Sequence, residues 1–370
     1  MRIRLGRGTV PGAEEGRGAG GTLDQRQIAG IRRLHQRQET WECSGRTGRW
    51  WITPPGQPAR RPNVLLAVIA DSGRVVRVEF DDAPLPAPKP MGAALPPPLP
   101  TPEQVCAGLL QAMRRPAAGA GSARRPTLVY LDRPELVDAL APRLAELEVR
   151  CAYRRTLPAL EATLQRIQAR YDRRGPIPGL LTLAGITVPL VAHLCELAAD
   201  YYRQAPWHYL TDREPFEIRY PPDGLPRYAI VMGSGGEVFG LAVYDALEQM
   251  RSLLAAPESE ALGQAFTYSA LFFDEAIAMA FDDLETMETY GLALADEHAY
   301  PVLGRTTHTG TLATPLGSDV FWWEGALAAV LAYVRDHLRV RRTGLAPAKL
   351  TLPVHTISGE KPVSLQVPVR

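Results

Sequence analysis

Three aspartates follow apolar runs that are predicted to be strands. From the end of a strand, a carboxylate can contact a substrate or bind an ion. Asp71 follows the run 63–70, and Asp132 and Asp274 end similar runs. Carboxylates act as general acids and bases and are oxygen ligands for divalent cations. Asp71 also fits an Asp-Ser-Gly turn, and Asp132 lies just before a helix-starting proline. We name these three aspartates as candidates, but predict no catalytic residue, metal site or cofactor.

Asp274 also belongs to a dense acidic group. The group comprises Asp274, Glu275, Asp282, Asp283, Glu285 and Glu288. Its oxygens suit a hard cation. However, Asp282, Asp283 and Glu285 fall in the first turn of a predicted helix, where each negative charge is stabilising by roughly 0.3–1 kcal/mol. We therefore favour a role in the helix over a metal site.

An aromatic and basic cluster supplies the predicted binding residues. They are Arg49, Trp50, Trp51, Arg60 and Arg61. Indole rings stack on bases and arginines contact phosphates, so the cluster suits a single-stranded nucleic acid. The alternative is that the arginines stack on the indoles and cover the edge of a sheet.

Arginine abundance by itself does not favour a nucleic-acid partner. The chain has 38 arginines but three lysines and one asparagine, which indicates the codon bias of a GC-rich genome. The net charge of +1 conceals a segregation, with +7 over residues 1–61 and −12 over 201–300. These segments either attract each other or steer partners of opposite charge. A protein partner or self-association is therefore preferred to nucleic acid.

Cysteine usage and hydropathy indicate a cytoplasmic protein. The four cysteines are 63, 45 and 44 residues apart and lack a CxxC pair, which predicts free thiols in a reducing compartment. The basic start of the chain leads into no apolar run, so we expect no secretory signal. The uncharged run 177–195 is broken by Pro178, Gly179 and Pro189. It predicts a buried helix and no membrane partner.

The elements that must position these residues predict an α+β protein of two modules. Residues 1–22 are expected to be a disordered tail, and 23–172 a mixed α/β module in which a hairpin precedes a βαβα pattern. A proline-rich connector at 83–102 interrupts this module. Within the module, 49–53 is expected to be an aromatic strand that follows a polar turn. The order of its elements is similar to that of ribonuclease H-like domains, which implies Asp71 and Asp132 as metal ligands.

The second module is expected to span residues 187–370, after a linker at 173–186. It begins with a helix near 188–203, followed by a three-stranded antiparallel meander over 215–244. A further amphipathic helix is predicted at 321–338. A β-hairpin closes the chain.

The second module also resembles a family found in uncharacterised bacterial proteins. The resemblance lies in Ala198–Tyr202, the Ala-Pro-Trp at 205–207, the run RYAIVMGSGGEVFGLAVY and Tyr300-Pro301. The first module resembles a second domain often joined to it, so the two resemblances cover about 40–340. Both families are domains of unknown function, so they imply an architecture and no catalytic residues.

Together these patterns predict a non-catalytic binding or interaction protein. The alternative is a carboxylate- or metal-dependent hydrolase or an enzyme that processes nucleic acid. Bound metal and binding to single-stranded nucleic acid distinguish the two hypotheses.

Overall fold

The structure is a computed structural model. It describes residues 25–53, 59–81, 99–171, 177–211, 213–255, 267–306, 312–341 and 344–369. The predicted tail at 1–22 and most of the proline-rich connector at 83–102 lie outside these residues. The chain forms two compact units, one containing described residues up to 171 and the other containing those from 177 onward. Helices and sheets occur in both, which confirms the α+β class.

A five-stranded mixed sheet forms the centre of the N-terminal unit. Its strands are β1 (Thr40–Thr47), β2 (Asn63–Ile69), β3 (Val75–Asp81), β4 (Leu128–Leu131) and β5 (Arg150–Tyr153). The spatial order is β3-β2-β1-β4-β5. β2 pairs antiparallel with β1 and β3, whereas β1, β4 and β5 are parallel. The predicted hairpin and βαβα pattern are present, in the order that suggested a ribonuclease H-like domain.

Helices cover both faces of this sheet. They are α1 (Gln25–Arg32), α2 (Pro102–Arg114), α3 (Pro134–Ala145) and α4 (Pro158–Tyr171). Thr101 and Gln104 form a capping box at the start of α2. Alternate residues of β2 point to opposite faces, one towards α1–α3 and the other towards α4. The unit therefore has two apolar cores separated by the sheet.

The prediction of an aromatic strand at 49–53 is wrong. The strand lies earlier, in β1, and a single bridge joins Ile52 to Arg60. β1 occupies the middle of the sheet although its sequence, TWECSGRT, is polar. Buried Glu42 accepts a hydrogen bond from the Leu160 N–H at 2.9 Å. Gly45 leaves room for Pro100, which would lie 2.8 Å from an added Cβ. Such long-range contacts compensate for polar residues that otherwise favour a turn.

An eight-stranded antiparallel sheet organises the C-terminal unit. Its spatial order is β11-β10-β9-β8-β7-β6-β15-β14. In chain order its strands are β6 (Phe216–Arg219), β7 (Arg227–Met232), β8 (Phe239–Tyr244), β9 (Ser269–Asp274), β10 (Tyr300–Thr306), β11 (Leu312–Ala313), β14 (Ala348–Thr356) and β15 (Gly359–Val367). A separate small ladder pairs β12 (Val340–Arg341) with β13 (Gly344–Leu345). The predicted meander is confirmed as β6–β8, and the closing hairpin joins it through β15 and β6.

Four α-helices among the described residues accompany this sheet. They are α5 (Val188–Gln204), α6 (Leu247–Ala255), α7 (Phe281–Tyr290) and α8 (Gly317–Ala332). α8 is buried on almost every side and packs against α5, β14 and β15. α8 begins at Gly317, four residues before the predicted start at 321. At this observed start the Asp319 carboxylate accepts a hydrogen bond from the Leu316 N–H at 3.3 Å. α6 packs against β7 and β8. None of the described helices has the length and hydropathy needed to cross a bilayer.

Candidate ligand-binding cavity

Asp71 and Asp132 do not come together. Asp71 follows Ala70, whose N–H donates to the Thr40 carbonyl at the beginning of β1. The Asp132 carboxylate instead accepts from the Ser44 hydroxyl at 2.7 Å, four residues further along β1. Ser44 follows Thr40 by four residues, and four residues of extended chain span about 13 Å. The two aspartates therefore lie at opposite ends of the sheet and cannot share a pair of metal ions.

Asp132 is held in an ion pair. Its Oδ2 accepts from Arg46 Nε at 2.9 Å and lies 2.8 Å from Arg46 Nη2. Arg46 also lies 3.6 Å from Glu161. A guanidinium bound in this way neutralises the carboxylate and fixes its position. The arrangement ties the end of β1 to β4 and α4.

Asp274 is exposed at the end of β9. Its Oδ1 accepts a hydrogen bond from the Glu275 N–H at 2.7 Å. In the antiparallel pairing of β9 with β10, Asp274 lies opposite Tyr300. No group of three or more His, Cys, Asp or Glu side chains within the described residues is arranged to hold a metal ion. The acidic group of the sequence is thus spread over a strand end and a helix.

The predicted binding cluster divides between core and surface. Trp50 is 3% exposed and packs with residues of β2 and α4. Trp51, Arg60 and Arg61 are partly buried, and Arg61 Nε donates to the Gly48 carbonyl at 3.0 Å. An indole as buried as Trp50 has no free face for a base, so it belongs to the core. Binding at Arg49, Trp51, Arg60 and Arg61 stays a prediction.

An apolar cavity lies between sheet and helices of the C-terminal unit. It contains about 660 Å³ of empty space, part of it open to solvent. Four groups of residues form its walls. They are Ile177, Pro178 and Leu180; Val191, Leu194, Cys195 and Ala198 of α5; Leu271, Pro301, Val302, Leu303, Leu312, Ala313 and Thr314 of the β9–β11 region; and Ala278, Met279, Ala280, Asp283 and Met287 in and before α7.

Asp283 supplies the carboxylate of this cavity. It lies in the first turn of α7, and its Oδ1 accepts from the Leu180 N–H at 2.6 Å. The neighbouring Asp282 accepts from the Gly179 N–H at 3.3 Å. Gly179 is required here, because an added Cβ would lie 2.5 Å from Asp282 Cβ. The two aspartates thus attach the segment before α5 to the start of α7 and close one wall.

Burial changes the acidity of the polar groups in the cavity. It raises the pKa of Asp283 to about 6, against the effect of the Leu180 hydrogen bond and with a further contribution from Asp282. Burial, followed by the charge of Asp283, raises the pKa of the Cys195 thiol to about 12. At neutral pH the thiol is therefore protonated, and a carboxylate is the charged group of the wall.

A second polar cluster ties the C-terminal hairpin to the helices. Glu324 of α8 is buried, and its Oε1 lies 2.6 Å from His193 Nδ1 of α5. The same oxygen accepts from the Ile357 N–H at 2.7 Å, in the turn between β14 and β15. The ring of His355 lies 5.8 Å from that of His193. One buried carboxylate oxygen thus joins α5, α8 and the hairpin.

The cavity lies mostly within a segment that matches a known family. Residues 192–319 match the Domain of unknown function (DUF7309). All but four of the lining residues belong to this DUF7309 segment, the others being Ile177, Pro178, Leu180 and Val191. The match ends shortly after α8 begins, so the closing hairpin lies outside it although it extends the same sheet. None of the curated proteins matches the chain.

Sequence reasoning missed the cavity for a physical reason. The uncharged run 177–195 predicted a buried helix, but its first residues form part of a wall. The sequence offers Asp283 as a cation ligand or as a helix-start residue, and the structure places it in the first turn of α7. The available signal was the pair Asp282 and Asp283, which follows the apolar run 276–281. Its meaning depends on β9–β11, which are distant in sequence.

Proposed function

We propose that this protein is a non-catalytic binding protein whose DUF7309 segment takes up a small molecule with an apolar body. The cavity supports the proposal, because its lining is mainly aliphatic and includes few polar groups. Small-molecule sites combine such apolar walls with a few polar groups that orient the ligand. Transfer of an apolar ligand from water is favourable by roughly 25 cal/mol for each Å² buried.

The hydrolase alternative has less support. Its predicted pair, Asp71 and Asp132, is separated by about 13 Å along β1, and Arg46 neutralises Asp132. Asp274 lies on the surface at the end of β9. A carboxylate-dependent mechanism needs acid and base groups that face one reacting atom. These three residues do not form such a group.

Binding of a neutral probe tests the proposal. Isothermal titration with 1-hexanol is expected to show saturable binding to the full chain. Ala278→Phe places a ring in the cavity and is expected to weaken binding at least tenfold. Ala276→Phe is the matched control, because Ala276 lies in the same 3-10 turn but does not line the cavity. Equal binding by both variants, or no binding by the unmodified chain, would contradict the proposal.

We further propose that the protein is bacterial and works in the cytoplasm. The four free cysteines, three of them buried, support a reducing compartment. A protein partner or self-association stays a prediction, and sedimentation of the purified chain tests the latter. Fractionation of cells that express the chain tests the compartment.

A further inference from the structure

The cavity has a charge asymmetry. Among its nineteen lining residues Asp283 is acidic and none is Lys, Arg or His. Oδ1 of Asp283 is occupied by the Leu180 N–H. No described residue donates a hydrogen bond to Oδ2. The apolar space is therefore bordered by a carboxylate whose second oxygen lacks a protein donor from the part of the chain that the structure describes.

We propose that the cavity selects an organic cation, a primary amine with an apolar body, whose ammonium group pairs with Asp283 Oδ2. The inference rests on the proposed function, because it specifies the ligand of the same cavity. The apolar body contacts the aliphatic walls of α5 and β9–β10. The ammonium group lies at the start of α7.

The physical reason is the cost of a carboxylate that is partly withdrawn from water. A carboxylate withdrawn from water is destabilised unless a cation or several donors compensate it. A backbone N–H from Leu180 supplies part of that compensation. An ammonium group adds a charge-assisted hydrogen bond, about twice as strong as a neutral one. A ligand carboxylate would instead meet a like charge.

Three probes of equal chain length separate these effects. Hexylamine, 1-hexanol and hexanoate are titrated into the full chain at pH 7.5, where the amine and the acid are both ionised. We expect hexylamine to bind at least tenfold more tightly than 1-hexanol, and hexanoate at least tenfold more weakly. Asp283→Asn keeps the side-chain shape and an acceptor for Leu180. It is expected to reduce the ratio of hexylamine affinity to 1-hexanol affinity from at least tenfold to about one.

Asp282→Asn is the matched control, because Asp282 is the adjacent carboxylate but does not line the cavity. This variant is expected to keep the preference for the amine. Equal affinity of the unmodified chain for amine and alcohol, or an amine preference that survives Asp283→Asn, would overturn the inference while leaving the proposed function intact. Failure of 1-hexanol to bind would contradict the proposed function, and failure of both 1-hexanol and hexylamine would overturn the inference as well.

Discussion

Replacement of Trp50 by alanine distinguishes a core residue from a nucleic-acid contact. Trp50 is 3% exposed and packs against Val64, Leu66, Val68 and Leu160. A buried tryptophan removes roughly 200 Å² from water, which at about 25 cal/mol/Å² corresponds to about 5 kcal/mol. Measured losses for such truncations in protein cores are about 3–5 kcal/mol. We expect Trp50→Ala to lower the free energy of unfolding by this amount.

Urea unfolding followed by far-UV circular dichroism measures the loss. Trp51→Ala is the control, because Trp51 is adjacent but partly exposed, and it is expected to cost about 1 kcal/mol or less. A fluorescently labelled single-stranded oligonucleotide titrated across a salt series reports nucleic-acid binding in parallel. A Trp50→Ala variant of unchanged stability and weakened oligonucleotide binding would refute the assignment of this indole to the core.

Three further perturbations test the C-terminal unit. The folded-state pKa of Asp283, about 6, lies above its usual 3.8, so the neutral form favours folding and its contribution is lost as the pH rises through 6. Asp283→Asn is therefore expected to be more stable than the unmodified chain by about 1–3 kcal/mol at pH 7.5, with no difference below pH 4, in urea titrations at each pH. Glu324→Gln weakens the bonds to His193 and the hairpin and is expected to cost about 1.5–3 kcal/mol by the same measurement. Gly240→Ala places a Cβ against the Leu271 carbonyl oxygen and is expected to cost about 1–3 kcal/mol or more.

Each of these predictions has a control or a contradicting result. For Asp283→Asn, a stability difference independent of pH would contradict the role of the buried charge. For Glu324→Gln, an unchanged urea midpoint would show that its hydrogen bonds contribute little. Gly235→Ala is the control for Gly240→Ala, because an added Cβ at Gly235 meets no atom within 4 Å. Equal losses for the two glycines would contradict the close approach of β8 and β9.

Local patterns determined many elements of this protein. Residues close together in the sequence form the Asp-Ser-Gly turn, the alternating apolar runs around it and the Thr101 capping box. Helices that begin with proline and the meander between two turns are local in the same way. The corresponding structures, the β2–β3 hairpin, α2 and β6–β8, therefore follow from the sequence.

The tertiary structure decided where polar residues lie and what they contact. β1 looks like a turn in sequence but occupies the centre of a sheet, where it pairs with β2 and β4. Leu160, more than a hundred residues away, donates a hydrogen bond to its buried Glu42. Asp71 and Asp132 both follow strands, but β2 runs antiparallel to β1 and β4 runs parallel to it, so the two aspartates lie towards opposite ends of β1. The cavity around Asp283 required walls from residues 177 to 314. Burial and charge pairing depend on contacts remote in sequence, so only the folded chain established them.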